Sequence, residues 1–234
     1  MNGPRWDADC GLHCYVTEQS GRLVPMSVAL FYLRHNERSP QLNLEYEKKE
    51  DFDAIAKCTS LEHLTLARCP NPDFYEWRNL PIRYIKFWNY CKINELKDMI
   101  YLKPLTTVMV GACRKFERFS GDNSNIKDVT VDGCRLFDIN SLTTLPNVEN
   151  VSIISCAKEI AISELPNHPT ITKLELSGCK LIFDTYNFKE KMPNLKKLWL
   201  SNTNTPESTR ELIRQANNDN DIVDSLYSFK IKLD

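Results

Sequence analysis

The chain has no run of eighteen apolar residues and no excess of charge of either sign. The first lack removes a membrane-spanning helix from consideration. The second is the balance of Lys+Arg 30 against Asp+Glu 31, a net charge of −1. It argues against a general binder of nucleic acids or membrane surfaces, which would carry a basic excess. The motifs of common catalysts are missing too: no phosphate loop, nucleophile elbow, HExxH or dinucleotide fingerprint occurs. The four histidines, His13, His35, His63 and His168, are scattered, and none stands in a motif with an acid or a nucleophile. No catalytic residue is therefore assigned, and a non-enzyme without a cofactor is expected. The opening MNGPRWDADC is polar and acidic where a secretory signal would be cationic and then apolar, and it lacks the Arg- and Ser-rich character of a transit peptide.

What the chain does have is self-similarity. Segments beginning at Ile126, Val148, Ile171 and Leu195 superimpose as IKDVTVDGC, VENVSIISC, ITKLELSGC and LKKLWLSNT. Each keeps an aliphatic residue at its first, fourth and sixth places, and three of the four end in cysteine. LEHLTLARC and LTTVMVGAC, from Leu61 and Leu105, fit the same template, while IRYIKFWNY from Ile82 has its cysteine, Cys91, one place late. The starts 61, 82, 105, 126, 148, 171 and 195 lie 21 to 24 residues apart. A fixed period of this length signals stacked units that bury one common core. Alternation in the strand half sends the fourth and sixth places inward and the third, fifth and seventh outward. The remaining dozen residues must return the chain, through stretches such as NELKDMIYL, DINSLTTL and FDTYNFKEKM, which read as short helical or irregular returns.

The pattern L-x-x-L-x-L-x-x-(N/C) resembles the leucine-rich repeat family over most of the chain. That resemblance implies an α/β fold: a curved horseshoe solenoid with a parallel concave β-sheet and short convex returns. Residues 1–38 do not fit the period and are expected to cap the first unit, since an open end would expose core surface. Residues 39–203 form the repeats. LNLEY (42–46) reads as a first strand and DFDAIAKC (51–58) as a short helix. Residues 204–234 are expected to close the stack with a helix through ESTRELIRQA, opened by Thr205 and Pro206, and a strand LYSFKI (226–231).

The nine cysteines are an odd number, and Cys69, Cys113, Cys134, Cys156 and Cys179 share the ninth place. A secreted disulfide framework would put them in caps and loops instead, so a reducing compartment, cytoplasm or nucleus, is expected. One thiol per unit, strung along the axis, points to packing and to pairing with backbone groups rather than to a metal. Cys10-Gly-Leu-His13-Cys14 has zinc-like spacing, but a structural site needs four ligands and no second pair is evident.

The resemblance implies that a partner, another protein, binds the concave face. In the outward places His63, Tyr84, Lys86, Trp88 and Met109 cluster on three consecutive strands, the mixture of aromatic, cationic and methionine side chains typical of interaction hot spots. Lys173, Lys197 and Trp199 form a smaller group near the other end. The leading expectation is a non-catalytic adaptor or subunit of a larger complex. Alternatives are a substrate receptor of a ubiquitin ligase, using residues 1–38, and a mitochondrial assembly protein of leucine-rich repeat type. A nucleic-acid binder ranks below these, with Arg68, Arg83, Lys86, Lys92, Arg114, Lys115 and Arg118 as a basic band.

Overall fold

The computed structural model describes residues 41–45, 55–56, 58–156, 158–201, 203 and 205–217. The expected cap at 1–38, the Cys10/His13/Cys14 group, most of the helix at 51–58 and the strand at 226–231 lie outside the described residues. Among those described, eight parallel strands form one sheet in chain order. They are β1 (Gln41–Glu45), β2 (His63–Ala67), β3 (Tyr84–Trp88), β5 (Thr107–Gly111), β7 (Asp128–Asp132), β8 (Asn150–Ile154), β10 (Lys173–Ser177) and β12 (Lys197–Trp199). Two small parallel pairs lie in the returns: β4 (Glu95–Lys97) with β6 (Arg118–Ser120), and β9 (Ile160–Ala161) with β11 (Leu181–Ile182). The protein is thus an α/β fold dominated by a parallel sheet.

The register is constant. Leu64 lies beside Ile85, Ile85 beside Val108, Val108 beside Val129, and so on through Val151, Leu174 and Leu198. The aliphatic or aromatic residues at the first, fourth and sixth places are all buried, Leu61, Leu64 and Leu66 in the first complete segment and Leu195, Leu198 and Leu200 in the last. Each fully buried side chain of this size contributes on the order of 1.5–3 kcal/mol. A slip of one residue would turn every one of them to solvent, so burial itself fixes the pairing.

The returns are short and varied. DINSLTTL forms a 3₁₀ turn over Ile139–Thr144, its N-terminus held by the Asp138 carboxylate accepting from the Asn140 N–H. NELKDMIYL, expected as a short helical or irregular return, contains β4 and a 3₁₀ turn at Met99–Tyr101. Its Leu96 packs inward while Glu95 and Lys97 point out, a period-2 pattern that favours the extended form. FDTYNFKEKM contains the one-turn helix α1 (Phe188–Lys191), capped by Asn187. The expected closing helix is present as α2 (Glu207–Asn217), with Ile213 buried. Inside the returns, the Phe116 and Phe137 rings stack 5.7 Å apart, with Phe119 edge-on to both.

Six successive strands of the large sheet, β2 to β10, end in the same way. The eighth places, Arg68, Asn89, Ala112, Gly133, Ser155 and Gly178, all have positive φ, between 52° and 63°. This left-handed residue reverses the chain so that the next side chain, the ninth, points back under the sheet. There the thiols form a ladder. Cys113 reaches the Gly111 and Phe87 carbonyls at 3.2 and 3.8 Å, and Cys179 the Ile153 and Ser177 carbonyls at 3.3 and 3.5 Å. Cys134 and Cys156 repeat the arrangement on Val110 and Val131. The late cysteine has a local cause. Asn89 and Tyr90 are both left-handed, which absorbs one extra residue and returns Cys91 to the ladder, 3.2 Å from the Leu66 carbonyl. Cys69 and Cys91 approach to 3.4 Å as free thiols.

Two consequences can be measured. A left-handed non-glycine residue costs roughly 1–2 kcal/mol, and glycine's extra freedom in the unfolded chain takes back roughly 0.5–1. Ala112→Gly is therefore expected to raise the unfolding free energy in urea by roughly 0.5 kcal/mol, and Gly178→Val to lower it by more than 1; equal losses in both would contradict this account of the turn. Burial also pushes the Cys134 thiol up to about 11 and that of Cys156 up to about 12. Unfolded thiols ionise near about 8.5, so the stability these groups confer is complete below that pH and is lost as pH rises toward their folded values. The stability difference between wild type and a Cys134→Ala/Cys156→Ala variant should shrink between pH 7.5 and pH 10. A gap that stays constant would rule the ladder's titration out.

Candidate functional site

The outward columns of the sheet follow from the same register. One runs His63, Tyr84, Thr107, Asp128, Asn150, Lys173, Lys197. The next runs Thr65, Lys86, Met109, Thr130, Ser152, Glu175, Trp199, and the third begins Ala67, Trp88 and continues through Gly111, Asp132, Ile154 and Ser177. The two groups expected from the sequence therefore do lie on one face, near opposite ends of it.

At the β2–β3–β5 end the five expected residues form one continuous patch. The His63 and Tyr84 rings face each other at 5.8 Å, and the Tyr84 hydroxyl points at the Met109 sulfur, 3.7 Å away. The Lys86 ammonium sits 4.4 Å from the centre of the Trp88 ring. His63 is exposed, while Tyr84, Trp88 and Met109 are half-buried. Burial of Tyr84 raises its phenol above its ordinary value.

Lys86 departs from expectation. As an outward residue it should be a solvent-exposed contact, yet it is only 2% exposed. Its ammonium lies over the face of the indole, a cation–π arrangement worth about 0.5–2 kcal/mol as desolvation increases. Burial lowers its pKa, while the negative charge of Asp132 works the other way. Asp132 is itself raised by burial, with Lys86 opposing that shift. Lys86 thus packs within the patch instead of offering itself to a partner.

The residue that sequence reasoning missed is Gly111. A β-carbon built there would fall 2.0 Å from the Trp88 ring, so the indole lies directly on the glycine backbone. The signal was present in the seventh column, where Ala67 and Gly111 flank Trp88 and leave a trough for a ring too large to stand upright between ordinary side chains. Trp88 is consequently fixed in place with part of its surface open.

At the far end, the Lys173 ammonium lies 4.1 Å from the Trp199 ring centre. Lys197 is exposed beside Lys173. Between the two aromatic groups the face is polar and internally paired. Asn150 donates to Asp128 at 2.6 Å, Ser152 donates to Glu175 at 2.9 Å, and the Ser177 and Ser201 hydroxyls are 2.7 Å apart.

The basic band forms only in part: Lys92, Arg114 and Lys115 follow successive strand ends and are exposed, but other members lie elsewhere. Arg118 belongs to β6, where Glu95 holds it at 3.3 Å. Arg83 precedes β3 at the opposite edge of the sheet from Cys91, and Lys86 is buried. His168 is buried as well, its ring nitrogens 3.2 Å from the Leu142 carbonyl and 3.1 Å from the Thr170 hydroxyl, and burial lowers its pKa. It ties adjacent returns together. No group of three or more His, Cys, Asp or Glu side chains converges as a metal site among the described residues, and no helix there is long and apolar enough to cross a membrane. No protein-family model matches this chain, and no curated protein matches it.

Gly111→Ala should displace the indole. The expected result is a red-shifted tryptophan emission and a loss of about 1–2 kcal/mol, from the forfeited cation–π contact and an off-rotamer ring. Unchanged emission and stability would mean that Trp88 does not rest on Gly111.

Proposed function

We propose that this chain is a leucine-rich repeat solenoid, and that its concave sheet face binds another protein as a non-catalytic adaptor or as a subunit of a larger assembly. The solenoid reading is supported by the constant register of eight parallel strands in chain order, by returns too short for long helices, and by the thiol that closes six successive units, Cys69 to Cys179. The observation that carries the binding reading is the seating of Trp88. Interfaces draw most of their affinity from a few aromatic and cationic anchors, and an anchor already immobilised loses little side-chain entropy on binding. The Cε3–Cζ3 edge of the Trp88 ring fills the space that a β-carbon at Gly111 would take, with the Lys86 ammonium 4.4 Å from the ring centre. Tyr84 and His63 extend the same surface, so the partner-facing set is His63, Tyr84, Trp88 and Met109, with Lys86 as its support. Lys173, Lys197 and Trp199 form a second, smaller contact near the other end of the face.

The test uses the full chain as bait in native lysate, with recovered proteins identified by mass spectrometry. His63→Ala/Tyr84→Ala and Trp88→Ala proteins are compared with wild type after thermal melts establish that each is folded. A loss of at least tenfold in recovery of the same partners is expected. Undiminished recovery from both variants would place the binding surface elsewhere.

A further inference from the structure

The strand ends of three consecutive units carry charge that the sheet face does not use. After Cys91, Cys113 and Cys134 the chain turns down toward the buried Ile93, Phe116 and Phe137. The residues between are Lys92, then Arg114 and Lys115, then Arg135 and Leu136, all exposed. Neighbouring strands of the sheet lie about 4.8 Å apart, so the four cations fall along one rim. None has an ion-pair partner among the described residues, although other surface cations do: Lys127 pairs with Glu149, and Arg118 with Glu95. Asp138, which follows on the third unit, is turned to its own 3₁₀ turn by the Asn140 N–H. Two apolar groups interrupt the charge. Tyr90 is 53% exposed with the Arg114 guanidinium 5.1 Å from its ring centre, and Leu136 is also 53% exposed.

We infer that this rim, separate from the concave face, docks an acidic peptide segment of a protein partner, its carboxylates on Lys92, Arg114, Lys115 and Arg135 and its apolar side chains on Tyr90 and Leu136. Charge complementarity selects an anionic occupant. An exposed leucine within the cationic row selects a peptide over a nucleic-acid strand, because phosphates and sugars offer it no apolar counterpart, whereas a leucine or phenylalanine does. Arginine forks match carboxylates in a bidentate manner, and one fork already lies over the Tyr90 ring, 5.1 Å from its centre. Contacts of this kind lie at the edge of the molecule and are screened by salt.

The probe is a fluorescein-labelled decapeptide of alternating glutamate and leucine, titrated with the full chain in low salt and followed by anisotropy. An oligo-uridylate decamer and an alternating serine–leucine decapeptide serve as comparisons. The acidic peptide is expected to bind, to weaken at least tenfold in an Arg114→Glu/Arg135→Glu protein, and to weaken severalfold in a Leu136→Ser protein; both variants alter exposed side chains, and their melting should match wild type. Binding of the serine–leucine peptide with equal affinity would overturn the inference. So would tighter binding of the oligo-uridylate with no effect of Leu136→Ser, since the rim would then be a phosphate surface. No binding of the acidic peptide, or binding indifferent to both variants, would overturn it as well.

Discussion

Everything in this structure depends on a parallel register that never slips. Because successive strands pair at the same residue offset, the fourth and sixth places of each segment stack into two continuous buried columns. The alternating places are forced into three columns on the opposite face. The hydrophobic effect does not choose a direction, but a sheet with one buried face has only one register in which all its aliphatic residues leave water together. The outer face inherits its order from that constraint, so residues about 22 positions apart in sequence become neighbours on the surface.

The strand ends show how the register is closed. A left-handed residue followed by a buried cysteine occurs at unit after unit, and the thiol meets carbonyls of its own strand and the preceding one. Cysteine suits the position because it is small enough for the space beneath the sheet and polar enough to donate to an otherwise unpaired oxygen. The extra residue at Asn89–Tyr90 is instructive. The chain adds a second left-handed residue and keeps the Cys91 contact, so the position of the thiol prevails over the length of the turn.

Much of this was legible from the sequence, because aliphatic periodicity and hydrophobic burial are the same phenomenon seen at two levels. The strands from Leu61 to Leu200 and the columns of outward residues could be read directly from spacing. The form of the returns could not. NELKDMIYL has helix-forming residues, yet Leu96 is drawn inward beside Phe119 and the segment becomes a strand, a tertiary pairing that local propensity does not encode. The candidate site was legible in membership but not in depth. Lys86 occupies an outward place, and only the absence of a side chain at Gly111, one strand away, leaves room for the Trp88 indole that its ammonium meets. That is information about two units at once.

The fixed register seats the Trp88 ring against Gly111 on the outer face of the sheet. Proton NMR of the folded chain reads that contact directly. The account predicts strong nuclear Overhauser effects between the Gly111 α-protons and the indole protons at Cε3 and Cζ3 of Trp88, with the α-protons displaced from ordinary shifts by the ring current. Gly111 α-protons at ordinary shifts, with no such effects, would contradict it.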